Sequence, residues 1–131
     1  LTGWQYWHYK EWRDPTTESQ DSGGQGLFAK DDDLSTVKVD KLKVLERTYP
    51  QATAGVPLAL SFDGATAAFS YRYTPRAAGA PTDIYVPKLH YPQGYTVTLV
   101  GGRQLSAPGA AHLLIENLPG APEVSINITR P

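Results

Sequence analysis

The stretch Leu58-Ala59-Leu60-Ser61-Phe62-Asp63-Gly64, followed shortly by Phe69-Ser70-Tyr71-Arg72-Tyr73, decides the fold of most of this chain. In each part, large apolar side chains alternate with small or polar ones. This is the period of a β-strand that buries one face. The Asp63-Gly64 pair between the two parts has the chemistry of a tight turn. The stretch therefore predicts two successive strands of an antiparallel sheet, folded over an apolar core.

The same period of two continues to the end of the chain. Further strands are predicted at residues 84–86, 95–100, 112–116 and 124–129. The segments between them carry turn residues, namely Pro92-Gln93-Gly94, Gly101-Gly102, Pro108-Gly109 and Pro119-Gly120. Six or seven short strands, with a turn about every ten residues and no helical pattern, are typical of a sandwich. We therefore predict a small antiparallel β-sandwich over residues 58–131.

The first 50 residues follow a different pattern. Aromatic side chains crowd residues 2–9, which predicts a strand that is covered on both faces, as in a parallel sheet. Residues 10–36 have no period and predict a long loop, and apolar residues at helical spacing predict a helix over 39–47, before Pro50. Strand, loop and helix make one βα unit in residues 1–50. The small residues of 51–57 predict a linker between this unit and the sandwich.

Composition excludes several classes of function. The chain of 131 residues has 12 basic and 13 acidic residues and no run of lysine or arginine, so we do not expect nucleic acid as a partner. It contains no cysteine, which excludes disulfides, thiolate metal sites and cysteine nucleophiles. The three histidines, His8, His90 and His112, are too scattered for a metal site, and Asp31-Asp32-Asp33 lacks the spacing of a calcium loop. We expect neither a metal nor a cofactor.

Short motifs run from the first residues into the sandwich. They are Gly3-Trp4-Gln5-Tyr6-Trp7, Asp14-Pro15-Thr16, Gly26-Leu27-Phe28, Lys41-Leu42, Leu45, Arg47, Tyr49-Pro50 and Ala54-Gly55-Val56-Pro57. Taken together they resemble the endoglycosylceramidase branch of glycoside hydrolase family 5. The resemblance implies a (β/α)8 barrel followed by a β-sandwich, with the strand-loop-helix unit as the last unit of the barrel. The chain would then be the C-terminal portion of a secreted or cell-surface bacterial enzyme.

The resemblance also implies where the chemistry lies. A retaining glycosidase uses two carboxyl groups about 5–5.5 Å apart. The family carries them as glutamates at the ends of the fourth and seventh barrel strands, which would precede Leu1. We therefore assign no catalytic residue to this chain and expect it to be inactive alone. By the same resemblance, Trp7 is the platform under the sugar beside the cleaved bond. Lys10 and Trp12 begin the loop at the rim and are candidate substrate contacts.

The expected partners of the chain are the rest of the barrel and a glycolipid or oligosaccharide substrate, with peripheral contact to a membrane. The lipid part of the substrate stays open between ceramide and a steryl or other glucoside. An alternative function is a stand-alone β-sandwich that binds carbohydrate or a membrane surface without catalysis. Five tyrosines of the sandwich are candidates to line such a surface, although a core position is favoured. They are Tyr71, Tyr73, Tyr85, Tyr91 and Tyr95.

Overall fold

The computed structural model describes residues 26–29, 33–76 and 79–131. The chain divides between Leu45 and Glu46 into two compact units, Leu1–Leu45 and Glu46–Pro131. The strand predicted at residues 2–9 lies outside the described residues. In the described ranges, none of the helices has the length and apolar character needed to cross a bilayer.

The described part of the first unit is mainly helical. A 3₁₀ turn, Leu34–Thr36, begins after Asp33, whose carboxylate accepts a hydrogen bond from the Ser35 backbone N–H at 3.0 Å. The α-helix α1 follows at Val39–Leu45. The helix predicted over 39–47 is therefore present, but it ends two residues early, at Leu45, and residues 49 and 50 belong to a strand.

The described residues of the second unit form eight strands. They are β1 Tyr49–Ala52, β2 Gly55–Phe62, β3 Phe69–Pro75, β4 Thr82–Tyr85, β5 Thr96–Val100, β6 Gly102–Gln104, β7 His112–Asn117 and β8 Val124–Thr129. They form two sheets with the orders β1-β4-β7-β6 and β2-β3-β8-β5. Every strand pair of the described sheets is antiparallel. The prediction of a small antiparallel β-sandwich is confirmed.

Two strands were not predicted. β1 includes residues of the predicted linker, and β2 begins at Gly55, so only Thr53 and Ala54 of residues 51–57 lie outside strands. β6 begins at Gly102, which the sequence placed in a turn. Both strands are short edge strands with a strand-weakening residue, Pro50 in β1 and Gly102 in β6, and such strands give little periodic signal. The division of the whole chain into a barrel unit and a sandwich stays a prediction.

The core lies between the two sheets. β3 contributes Phe69, Tyr71 and Tyr73, which are buried and stand opposite Ile128, Ile126 and Val124 of β8 in register. The other sheet contributes Ile84 of β4 together with Leu113 and Ile115 of β7. Burial of each such aliphatic or aromatic side chain stabilises a fold by about 1.5–3 kcal/mol. The alternation that predicted β3 and β8 is the alternation that fills this core.

One polar side chain connects the sheets near the point where the chain passes between them. The carbonyl oxygen of the Asn117 side chain, at the end of β7, accepts a hydrogen bond from the Tyr73 hydroxyl at 2.8 Å. Its amide nitrogen donates to the backbone carbonyls of Ala54 at 2.8 Å and Arg76 at 3.2 Å. Asn117 therefore joins β7 of one sheet to β3 of the other and to the segment between β1 and β2.

Substitution Asn117→Ala should lower the free energy of unfolding by about 2 kcal/mol, because it removes the hydrogen bonds to the Tyr73 hydroxyl and to the Ala54 and Arg76 carbonyls, each of which contributes about 0.5–1.5 kcal/mol. Urea denaturation of the 131-residue chain measures this loss. The matched control is Asn127→Ala, since Asn127 is exposed on β8 and its loss should change the free energy by no more than about 0.5 kcal/mol. Equal losses in the two variants would contradict the connecting role.

Candidate functional site

The three substrate-contact residues predicted from the resemblance are Trp7, Lys10 and Trp12. All three lie outside the residues that the structure describes, so their role stays a prediction. Among the described residues, no group of three His, Asp or Glu side chains is placed to hold a metal ion.

Most of the candidate surface tyrosines belong to the interior. Tyr71, Tyr73 and Tyr91 are buried, and Tyr95 is part-buried against the core. Their hydroxyl groups are satisfied inside the protein: that of Tyr91, for example, donates to the Ala67 carbonyl at 2.7 Å. Burial raises the pKa of each of these four phenols. Tyr85 is the exception, since it lies on the outer face of the sheet β1-β4-β7-β6.

Tyr85 is the middle of a row of three rings on this outer face. Tyr49 of β1 and His112 of β7 stand directly opposite Tyr85 of β4 in the strand register. The Tyr49 and Tyr85 ring centroids are 5.8 Å apart, and those of Tyr85 and His112 are 5.9 Å apart. Tyr49 is more exposed to solvent than Tyr85, with 44% of its surface exposed. We call Tyr49, Tyr85 and His112 the aromatic row.

Two carboxylates lie along the aromatic row. The Glu46 carboxylate accepts a hydrogen bond from the Tyr85 hydroxyl at 2.7 Å, and this bond raises the pKa of Tyr85 to about 12. An Asp83 oxygen lies 3.1 Å from Nδ1 of His112. An ionised carboxylate has about four acceptor positions, so each keeps capacity for a further donor.

Glu46 and Thr48 fix the start of the sandwich through hydrogen bonds. Glu46, the first residue of the second unit, also uses its backbone carbonyl, which lies 2.7 Å from Nε2 of the buried His90. Two residues later, the hydroxyl of buried Thr48 donates to the hydroxyl of Tyr91 at 3.1 Å. His90 is therefore a structural residue. Its ring packs edge-on against the ring of Phe62, with 5.0 Å between the ring centroids.

Chemically, the aromatic row can bind rather than catalyse. A tyrosine ring offers an apolar face to the C–H groups of a sugar. Carboxylates accept hydrogen bonds from the hydroxyl groups of the sugar. The rings are tilted by 56° and 57° to one another, so they do not make one flat platform. Sequence reasoning missed this row because its members are far apart in the chain. Only the strand register brings them together.

Comparison with known proteins shows the family of this chain. Residues 47–129 match the model of the family described as the glycoside hydrolase family 5 C-terminal domain. Endoglycoceramidase I of Rhodococcus hoagii (strain 103S) is 43% identical over 129 residues, which are 98% of this chain. The chain spans only 22% of that protein.

Solved structures give the same result. Endo-glycoceramidase II from Rhodococcus sp., in complex with a cellobiose-like imidazole, superimposes on this chain with a TM-score of 0.56 at 25% sequence identity. The superposition covers 70% of this chain and 20% of the endo-glycoceramidase II chain. The same enzyme has been solved with ganglioside GM3. Sterylglucosidase 1 of Cryptococcus neoformans superimposes with a TM-score of 0.55 at 30% identity, covering 64% of this chain and 13% of its own.

Substitution Glu46→Gln should lower the pKa of Tyr85 from about 12 toward the ordinary value near 10, because the neutral amide no longer opposes formation of the phenolate. NMR titration of ring-labelled tyrosine measures this pKa. The control is Asp83→Asn, which changes the carboxylate beside His112 and should leave the Tyr85 pKa near 12.

The sign of the linked stability effect follows from the raised pKa. As the pH rises above 10, Tyr85 ionises first in the unfolded chain, so its contribution to stability is complete below pH 10 and is lost toward pH 12. Glu46→Gln should make this loss smaller. A Tyr85 pKa that does not respond to Glu46→Gln would contradict the assigned contact.

Proposed function

Because this chain belongs to the family of glycoside hydrolase family 5 C-terminal domains, we propose that it is the C-terminal portion of a longer retaining glycosidase that resembles endoglycoceramidases. The observation that carries this proposal is the similarity to endoglycoceramidase I. It extends over 98% of the chain, beyond the sandwich into the preceding unit, yet it accounts for only 22% of that relative.

The proposed reaction is hydrolysis of the β-glycosidic bond between a glycan and a lipid. Retention of configuration needs a nucleophilic carboxylate and an acid/base carboxyl group about 5–5.5 Å apart. We place both in the preceding barrel of the longer chain. In the described sandwich, the carboxylates of the aromatic row hold Tyr85 and His112 and have no part in this chemistry.

In this proposal the chain has two tasks. Trp7 supports the sugar beside the cleaved bond, and Lys10 and Trp12 contact the substrate at the rim of the barrel. The sandwich braces the barrel. The hydrogen bonds of Glu46 and Thr48 hold the segment that leads into the sandwich. Ceramide and sterol are both candidates for the lipid part, since the names of the similar proteins include both. A lipid substrate also favours a secreted or cell-surface enzyme with peripheral membrane contact.

The test is hydrolysis of a fluorogenic β-glycoside and of a glycosylceramide. The full-length chain that contains these residues should cleave them, and the 131-residue chain alone should not. In the full-length chain, Trp7→Ala should lower kcat/KM at least about tenfold, which corresponds to about 1.4 kcal/mol of transition-state stabilisation. Trp7→Phe keeps an aromatic face and should recover part of the loss. Full activity of Trp7→Ala would refute the platform role.

A second candidate function is a carbohydrate-binding module. The observation that favours it is the exposed ring of Tyr49, in a row with Tyr85 and His112, whose partners are the carboxylates of Glu46 and Asp83. If this function holds, titration of the 131-residue chain with lactose or cellobiose should shift the NMR signals of Tyr49, Tyr85 and His112. Tyr49→Ala should abolish the shifts, while Tyr49→Phe should keep them. An unchanged spectrum at millimolar sugar would rule this function out.

A further inference from the structure

Two clefts meet at the exposed side chain of Arg76, where strands β3 and β7 end. The first cleft has a volume of about 400 Å³ and is lined by Pro75, Arg76, Asn117 and the turn residues 118–121. The second has a volume of about 300 Å³ and shares Arg76 and Asn117 with the first. We call the first one the Arg76 cleft.

The backbone of Arg76 is fixed on both sides. Its N–H donates a hydrogen bond to the Ala54 carbonyl at 3.0 Å. Its carbonyl accepts a hydrogen bond from the Asn117 side-chain amide at 3.2 Å. The side chain therefore extends from a point that does not move when a ligand arrives. A site held in this way loses less conformational entropy on binding.

The guanidinium group of Arg76, by contrast, is uncommitted. In the part of the chain that the structure describes, this group makes neither an ion pair nor a hydrogen bond. Arg72 and Arg103 differ in this respect, since they lie 3.5 Å from Glu123 and 2.5 Å from Glu116. The five N–H donors of the Arg76 guanidinium are therefore available to a ligand.

The charges around the cleft favour a ligand with one negative charge. Among the described residues that line the Arg76 cleft, Arg76 alone is charged. Glu116 lines the second cleft, but Arg103 pairs with its carboxylate. The backbone N–H of Gly120, in the wall of the Arg76 cleft, has no hydrogen-bond partner among the described residues. One cation and one backbone donor suit a carboxylate better than a doubly charged phosphate.

The other walls favour an organic acid with an apolar side. Pro75, Leu118, Pro119 and Ala121 offer carbon surface to the cleft. A volume of about 400 Å³ lies within the range of small-molecule sites, which is roughly 300–1,000 Å³. The planar fork of arginine matches a carboxylate through two parallel hydrogen bonds. The C–H face of a sugar ring can pack against the proline and leucine walls at the same time.

We propose that the Arg76 cleft binds a sugar acid, with the carboxylate on the Arg76 guanidinium and the ring against the apolar walls. The choice of a sugar acid among organic acids rests on the proposed function, in which the longer enzyme acts on glycans. The cleft shares no residue with the aromatic row, so it is a separate site. A free sugar acid and the acidic end of a longer glycan present the same chemistry to it.

The experiment is an NMR titration of the 131-residue chain with glucuronic acid at pH 7. The signals of the Arg76 Nε–H and the Gly120 N–H should shift, whereas glucose, which lacks the carboxylate, should leave them unchanged. Arg76→Gln should weaken binding at least about tenfold, because it removes charge-assisted hydrogen bonds. Arg76→Lys keeps the charge without the fork and should weaken binding less.

The matched control is Arg72→Gln, which makes the same change of charge four residues earlier on the chain. It should leave the affinity within about twofold, since salt screens a charge at this exposed position. Arg76→Gln should keep the thermal midpoint of the unchanged chain, because both anchors of Arg76 are backbone groups. A disaccharide that ends in glucuronic acid separates the two sources. Equal affinity assigns the cleft to glycan ends, and weaker binding assigns it to the free acid.

Four results would overturn the proposal. They are the absence of shifts at millimolar glucuronic acid, equal shifts with glucose, equal weakening by Arg72→Gln and Arg76→Gln, and equal or tighter binding of acetate or inorganic phosphate. The last result would leave the sugar ring without a role. Binding is measured without hydrolysis, so a full-length chain without glycosidase activity would refute the proposed function alone.

Discussion

The sandwich depends on the hydrogen bonds that hold the chain where it passes from one sheet to the other at Thr53 and Ala54. The Thr53 hydroxyl lies 2.6 Å from the Tyr71 hydroxyl, and the Ala54 N–H donates to the Thr82 hydroxyl at 2.9 Å. Asn117 adds the bond to the Ala54 carbonyl. Buried apolar contact has no direction, whereas these bonds have fixed lengths and angles. They therefore set how the two sheets are placed around a core that other placements could also fill.

The first strands of the sandwich combine strong attachment with an open surface. Glu46 and Thr48 are held by side chains of the sandwich, so the segment that leads into β1 is fixed in place. The next strand, β2, leaves its aliphatic side chains in contact with solvent. A fixed connection beside an uncovered apolar strand is the arrangement expected of a domain that works as part of a larger protein. This agrees with the share of the relatives that the chain spans.

The sequence predicted the parts of the fold that obey a simple period. β3 and β8 are long, alternate strictly and bury one face, so their pattern alone indicated the sandwich. β1 and β6 have three or four residues with a proline or a glycine, and pairing with a neighbour rather than their own pattern makes them strands. The aromatic row could not be predicted, because the register of three strands places Tyr49 beside Tyr85 and His112. The residues predicted to contact substrate, such as Trp7, came from a family resemblance and lie outside the described residues.

We propose that this chain acts as one part of a larger glycosidase. The most direct measurement is native mass spectrometry of the protein purified from its source without denaturation. These residues should be found within a longer chain, or in a complex with a heavier polypeptide, and this species should cleave a β-glycoside. A 14.3 kDa monomer with a single sharp thermal transition, and no heavier species that contains it, would contradict this role. It would favour an autonomous module instead.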